Sequence, residues 1–264
     1  MKTTITCKQK AEVVLQKNGD SLFQVMEYSD LNGYINEDSI ELIKYVKETN
    51  ITLKQIRAVL KNSSIKIQRE SLSYIKGDIE IKNRSISSKS IAKRILGTKE
   101  RTIKPFLIGT GEVFFKPSFE FFTIIELDDE EIVIDDTIFF LCEDSITVNL
   151  ESNIERLASD KSKLKLSGSG FVILKIPVPE EEIVRHKLFN DKLTIIDGCA
   201  VLRSGSVDLE VKAINHLYKE YGDYDNSYIH VYEGIGEVWV LPTLSCYEDF
   251  TQANKYYDEN QIEE

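Results

Sequence analysis

The sequence predicts an all-β fold, a sandwich or barrel built from internal repeats, with one or two short helices. Three observations predict it. A phrase made of a glycine pair, an apolar run and a proline recurs at a spacing of roughly 60 residues, the mark of a duplicated unit. Most of the chain reads as short runs of aromatic and β-branched residues, which favour strands. Acidic or glycine-bearing turn signals separate those runs, as in sandwiches and barrels.

The phrase appears first as Gly109-Thr-Gly111-Glu-Val-Phe-Phe-Lys-Pro117. It returns as Gly168-Ser-Gly170-Phe-Val-Ile-Leu-Lys-Ile-Pro177 and as Gly234-Ile-Gly236-Glu-Val-Trp-Val-Leu-Pro242. Glycine at the start of each strand supplies a positive φ in a tight turn or bulge, and the proline ends ladder pairing. A phosphate-cradling loop would need a third glycine and a following helix. After Gly170 the chain continues as Phe171-Val172-Ile173, so the glycines read as structural. A second stretch repeats without gaps: 136–146 aligns on 197–207, ending in Ser145-Ile146 and Ser206-Val207. The segment 69–79, ending in Gly77-Asp78-Ile79, follows the same plan more weakly.

In chain order, a divergent unit occupies about 1–84. Within it Glu37 to Glu48 predicts a helix, because Ile40, Ile43 and Val46 share one face, with Asn36 or Asp38 as cap. A second helix is predicted at 88–96, with Gly97 as its C-terminal cap. Two clear repeat units follow at about 105–150 and 164–212. Their strands fall at 114–115, 119–125, 132–134, 138–141, 171–176, 193–196 and 207–211. Turns are predicted at Asp128-Asp129, Asp135-Asp136, Asn190-Asp191 and Asp197-Gly198. A closing strand at about 228–243 is expected to pair with the N-terminal unit and remove exposed sheet edges. Residues 1–246 then form a single β domain, and 247–264 an acidic tail.

The chain has 264 residues, enough to bury a core without covalent staples. Its net charge of −11 opposes attraction to nucleic acid or anionic membrane. Cys7, Cys142, Cys199 and Cys246 are scattered and fit no C-x-x-C pattern, as expected of free thiols in a reducing compartment. The N-terminus has no apolar signal core, and no apolar run approaches the ~18–20 residues of a membrane span. These features predict a soluble, cytoplasmic protein.

Few residues carry a signal of chemistry. His186, His216 and His230 are isolated, so no transition-metal site is expected. Ser145, Ser206 or Cys142 beside a distant histidine would make a nucleophile, but no nucleophile elbow is present, and Ser204-Gly205-Ser206 reads as a turn. The clusters Asp128-Asp129-Glu130-Glu131 and Glu180-Glu181-Glu182 read as solvated turns. A basic stretch (Arg84, Lys89, Lys93, Arg94, Lys99, Arg101 and Lys104) opposes the global charge. It lacks the aromatic residues that stack on bases, and reads as pairing with acidic turns of its own or a neighbouring subunit. No catalytic, cofactor-binding or metal-binding residue is assigned, and no cofactor is expected.

The ordered phrases Gly109-Thr-Gly111-Glu-Val, Leu166-Ser-Gly-Ser-Gly170-Phe-Val, Pro177-Val-Pro179-Glu-Glu-Glu-Ile183, Leu202-Arg-Ser-Gly-Ser206 and Val231-Tyr-Glu-Gly-Ile-Gly236-Glu-Val-Trp239 carry a resemblance. Across about 105–243, and weakly across 50–84, the chain resembles the altered inheritance of mitochondria protein 24 family. The resemblance implies a double-stranded β-helix like that of the trp RNA-binding attenuation protein. It implies no catalytic residues. Family members carry glycine-rich, apolar linkers where this chain holds the charged or polar stretches 85–104, 152–163 and 213–227.

The leading functional expectation is a non-enzymatic, self-associating scaffold or binding protein, with a homo-oligomer as the default assembly. Its warrant is the lack of catalytic signals together with the repeated β units, and the self-association rests on the outward rings expected among Phe114, Phe115, Phe119, Phe121 and Phe122. The alternatives are an RNA-binding ring, by analogy of fold, and a small-ligand or metal enzyme that uses a barrel mouth.

Overall fold

Strand-forming residues dominate the folded chain as they dominate the sequence. A computed structural model of the protein describes residues 11–28, 31, 33, 37–49, 51–82, 104–151, 162–196, 198–213 and 228–249. Among these the elements run β1 (Ala11–Asn18), β2 (Ser21–Tyr28), α1 (Glu37–Glu48), β3 (Leu53–Ile67), β4 (Leu72–Lys82), β5 (Phe106–Phe115) and β6 (Phe121–Asp135). They continue as β7 (Phe139–Glu143), β8 (Thr147–Leu150), β9 (Lys163–Ile176), β10 (Val184–Ile195), β11 (Ala200–Ser204), β12 (Val207–Ala213) and β13 (Tyr228–Val240). The fold is all-β with antiparallel ladders. Helix α1 occupies the span the spacing predicts, and Val46 is buried on its apolar face. The second predicted helix, the basic stretch up to Arg101 and the tail beyond 249 lie outside the described residues.

The chain divides into two compact units. The first holds Met1–Ile124 together with Phe140–Asp144 and Gly170–Val172. Its hub is β3, which pairs with β2, β5 and the end of β7, while β1 adds to β2 and β4 to β5. Phe23, Ile56, Leu60, Ile65, Leu107 and Phe115 are buried in it.

The second unit holds Ile125–Phe139, Ser145–Ser169 and Ile173–Glu264. Its hub is β13, which pairs with β10, β11 and β12; β11 also pairs with β6, and β8 with β9. Leu188, Ile195, Val207, Tyr232, Val238 and Val240 form a buried cluster there. The expected pairing of the last strand with the N-terminal unit is therefore corrected. The ladders of β13 lie within its own unit, and among the described strands β1 and β10 each keep one neighbour and one open edge.

The predicted turns at Asp128-Asp129 and Asn190-Asp191 are also corrected. Strands β6 and β10 run straight through them. Asp129 (φ 55°) and Asn190 (φ 63°) are left-handed residues inside long strands, and Asn62 (φ 53°) is a third, in β3. The register shifts by one residue at Lys61/Ser63 and at Phe189/Asp191. These are β-bulges, and an extra residue exchanges the faces of every side chain beyond it. Ile56, Ala58 and Leu60 are buried before Asn62, but Ile65 and Ile67 after it. Leu188 and Ile195 share one core cluster for the same reason. Asn and Asp fit here because they tolerate the left-handed region.

The glycine phrase meets the repeat at the same atoms in all three copies. A Cβ on Gly168 would lie 2.7 Å from the Ser145 carbonyl oxygen, and one on Gly234 would lie 2.6 Å from that of Ser206. One on Gly109 would collide with the carbonyl oxygen of Asp78. Asp78, Ser145 and Ser206 are the residues that the gapless repeat alignment makes equivalent. The three glycines have φ of 142°, 129° and 138°. They sit inside β5, β9 and β13 rather than at strand starts, because the chain extends before them as well as after.

Candidate docking surface and polar sites

Each bulge lies beside the middle residue of a glycine pair, which makes three equivalent stations. At the first, the Asn62 N–H donates to Thr110 Oγ1 at 2.9 Å. At the second, the Asp129 N–H donates to Ser169 Oγ at 2.9 Å. A hydroxyl thus satisfies the amide that the bulge withdraws from the ladder. The third station departs from this pattern. Its middle residue is Ile235, directly opposite Phe189, and it offers no hydroxyl to the bulge. Phe189 is 74% exposed and Ile235 55%. The positions equivalent to Phe189 are Lys61 and Asp128, both exposed and charged.

Opposed rows of charge flank this apolar pair. Lys187 faces Glu237 and Lys192 faces Glu233 across the β10–β13 ladder. The Nζ–carboxylate distances are 3.9 Å and 2.9 Å. The hydrogen bond that Lys192 donates to Glu233, then the charge of Glu233, raises the Lys192 pKa. Beyond Lys187, the Arg185 guanidinium stacks over Trp239 at 4.3 Å.

The first unit carries a different surface, a chain of side chains that crosses five strands. Gln24 Nε2 donates to Gln16 Oε1, and Arg57 Nη1 donates to Gln24 Oε1. Arg57 Nε and Nη2 both donate to Glu112 Oε2, and Lys76 Nζ to Glu112 Oε1. Hydrogen bonds from Lys76 and Arg57 hold the Glu112 carboxyl below its ordinary pKa. Strand β1, an edge strand of this unit, exposes Val13, Val14 and Leu15.

Among the buried charged groups, Glu143 and Asp135 each have partners. Glu143 accepts the Ser21 N–H at 3.1 Å and the Phe171 N–H at 2.9 Å. In the second unit Lys163 Nζ donates to Asp135 Oδ1 and to the Ala200 carbonyl. Lys163 borders a crevice, also lined by Leu209 and Tyr232, whose cavity volume is only about 10 Å3. Small-molecule pockets usually enclose ~300 Å3 or more.

The family model described as Mitochondrial biogenesis AIM24 matches residues 46–243 of the chain. This protein belongs to that family. A solved structure, protein SPYM3_0169 from Streptococcus pyogenes, is similar in fold with a TM-score of 0.58 at 17% identity, covering 78% of this chain and 94% of that one. No match is found among curated proteins.

In this AIM24 family member the residues singled out from sequence do not converge. Cys142 is buried, and burial pushes its thiol up to about 12. Ser145 lies exposed in a turn, and Ser206 Oγ donates to the Ile235 carbonyl at 2.5 Å. His186 stands opposite Val238, and His230 opposite Ile195 and Val211; Cys7 and His216 lie outside the described residues. Among the described residues no three His, Cys, Asp or Glu side chains gather as a metal site would require, and no helix is long and apolar enough to cross a membrane. Lys104, the described end of the basic stretch, is buried and donates to Gln68 Oε1 at 2.6 Å. Glu182 accepts from Thr243 and from Tyr247 Oη, so it is a docking point for the start of the tail.

The expected outward patch among the phenylalanines is corrected. Phe115 is buried, Phe114 stacks on Tyr74 at 4.5 Å, and Phe122 meets Phe140 at 5.0 Å. Lys54 Nζ sits over the Phe121 ring at 4.6 Å. Exposed apolar side chains of the AIM24 chain stand at the third station and on β1, and also on β4 and β5 at Tyr74, Ile81 and Ile108. A comparison of the repeats at the bulge would have found Phe189 and Ile235, because each replaces a polar residue in both other copies.

Proposed function

We propose that this chain is a non-enzymatic, self-associating scaffold or binding protein of the cytoplasm. One observation carries the reading: among the described strands, exposed apolar side chains stand on several that keep an open edge, Val13, Val14 and Leu15 on β1, Ile81 on β4 and Phe189 on β10. Open apolar edges favour pairing with another chain, and single-chain folds usually blunt them. Cys142 and Ser206 support the non-enzymatic part, the one with its thiol held protonated by burial and the other with its hydroxyl committed to a backbone carbonyl. Light scattering at micromolar concentration tests the reading. A mass above that of a single chain supports it, and a strictly single-chain mass refutes it.

A further inference from the structure

The face around Phe189 and Ile235 has a property that the other two stations lack. The fold places Lys61 with Thr110, and Asp128 with Ser169, where this station holds Phe189 and Ile235. Bulge and glycine pair form equally well with polar residues, so the apolar pair is not required by the fold. In the lone chain both side chains face water.

We propose that this face docks a second copy of the chain, face to face about a two-fold axis, and the proposal rests on the self-association reading above. Charge selects this occupant. The outer row of β10 is basic on both sides of Phe189, with Lys187 and Lys192, and the outer row of β13 is acidic on both sides of Ile235, with Glu237 and Glu233. An axis that runs along the strands, between β10 and β13, keeps each residue's height and exchanges the two rows. It lays Phe189 of one copy on Ile235 of the other, Lys187 over the second copy's Glu237, and Lys192 over its Glu233. A two-fold contact must be self-complementary, and this arrangement is so in both its apolar centre and its charges. The chain's net charge of −11 makes copies repel in other orientations, whereas here charges of opposite sign meet. Phe189 and Ile235 supply a central anchor, and the charged rows supply orientation.

Sedimentation equilibrium on the full chain tests this in two arms, with circular dichroism to check the fold. In the first, the wild type is a dimer, and F189D/I235S weakens it at least about tenfold, as removal of a central anchor does. In the second, K187E/K192E and E233K/E237K are each monomeric alone, because like rows face each other. An equimolar mixture regains the dimer, because each row again meets its opposite across the axis while the pairs within each chain stay broken. This arm decides the matter even where F189D/I235S fails to fold. A wild-type oligomer that F189D/I235S leaves intact, or a mixture that stays monomeric, overturns the surface and leaves self-association standing on another edge. A monomeric wild type overturns both.

Discussion

Gly234 lies so close to the Ser206 carbonyl oxygen that a Cβ would stand 2.6 Å from it. Its φ of 138° excludes other residues a second time. Gly234→Ala should therefore cost about 2–3 kcal/mol through strain and collision. Gly198 also has a positive φ, of 71°, but open space around it. Gly198→Ala should cost only about 1 kcal/mol. Urea midpoints of the two variants check the order, and equal losses would contradict it.

The half-buried Lys163 pairs with the buried Asp135 in the second unit. Lys163→Met leaves a carboxylate in the core without its cation and should cost about 3–5 kcal/mol. The double variant D135L/K163M should recover most of that loss, because two apolar groups need no partner. Thermal unfolding of the single and double variants gives the comparison. A double variant no better than K163M would mean that the pair is not the cause.

Glu112 gives the first unit a pH dependence of known sign. Lys76 and Arg57 lower its pKa below the usual 4.5. A depressed carboxyl stabilises the folded state above its unfolded pKa, and that stability is lost as pH falls through the lower folded value. Glu112→Gln should cost about 0.5–1 kcal/mol at neutral pH, because the group is partly solvated. The gap between wild type and E112Q should close as pH drops below 4.5. Urea titrations across that range would show a constant gap if the ladder contributed nothing.

Thiol labelling should separate the cysteines. Cys142 is buried with its thiol raised to about 12, whereas Cys246 is exposed. A maleimide at mildly alkaline pH should modify Cys246 in the folded protein, and Cys142 only after denaturant is added. Peptide mapping identifies the sites. Rapid labelling of Cys142 in the native state would contradict the packing around β7.

The all-β class, helix α1 and the repeat were legible in the sequence because each depends on local periodicity. Alternating apolar residues mark strands, Ile40, Ile43 and Val46 mark a helix face, and the glycine phrase marks the repeat. The bulges were not legible as bulges. Asn and Asp serve turns and left-handed bulges alike, so Asn190-Asp191 carries the same local signal in either case. The change of buried parity from Leu60 to Ile65 holds the missing information. The phenylalanines at 114–122 misled for a different reason. Alternation says which ring points outward, but not that Tyr74, Lys54 or Phe140 will cover it from a distant strand. Arg57 and Glu112 stand 55 residues apart, so their ladder follows from register alone.

Hydrogen exchange on the wild-type chain, at high and at low protein concentration, tests the central claim most directly. A scaffold that self-associates through the third station should gain amide protection with concentration across 184–195 and 228–240, while β1 and β4 exchange as before. Protection that is independent of concentration, or that rises on β1 alone, would contradict the account.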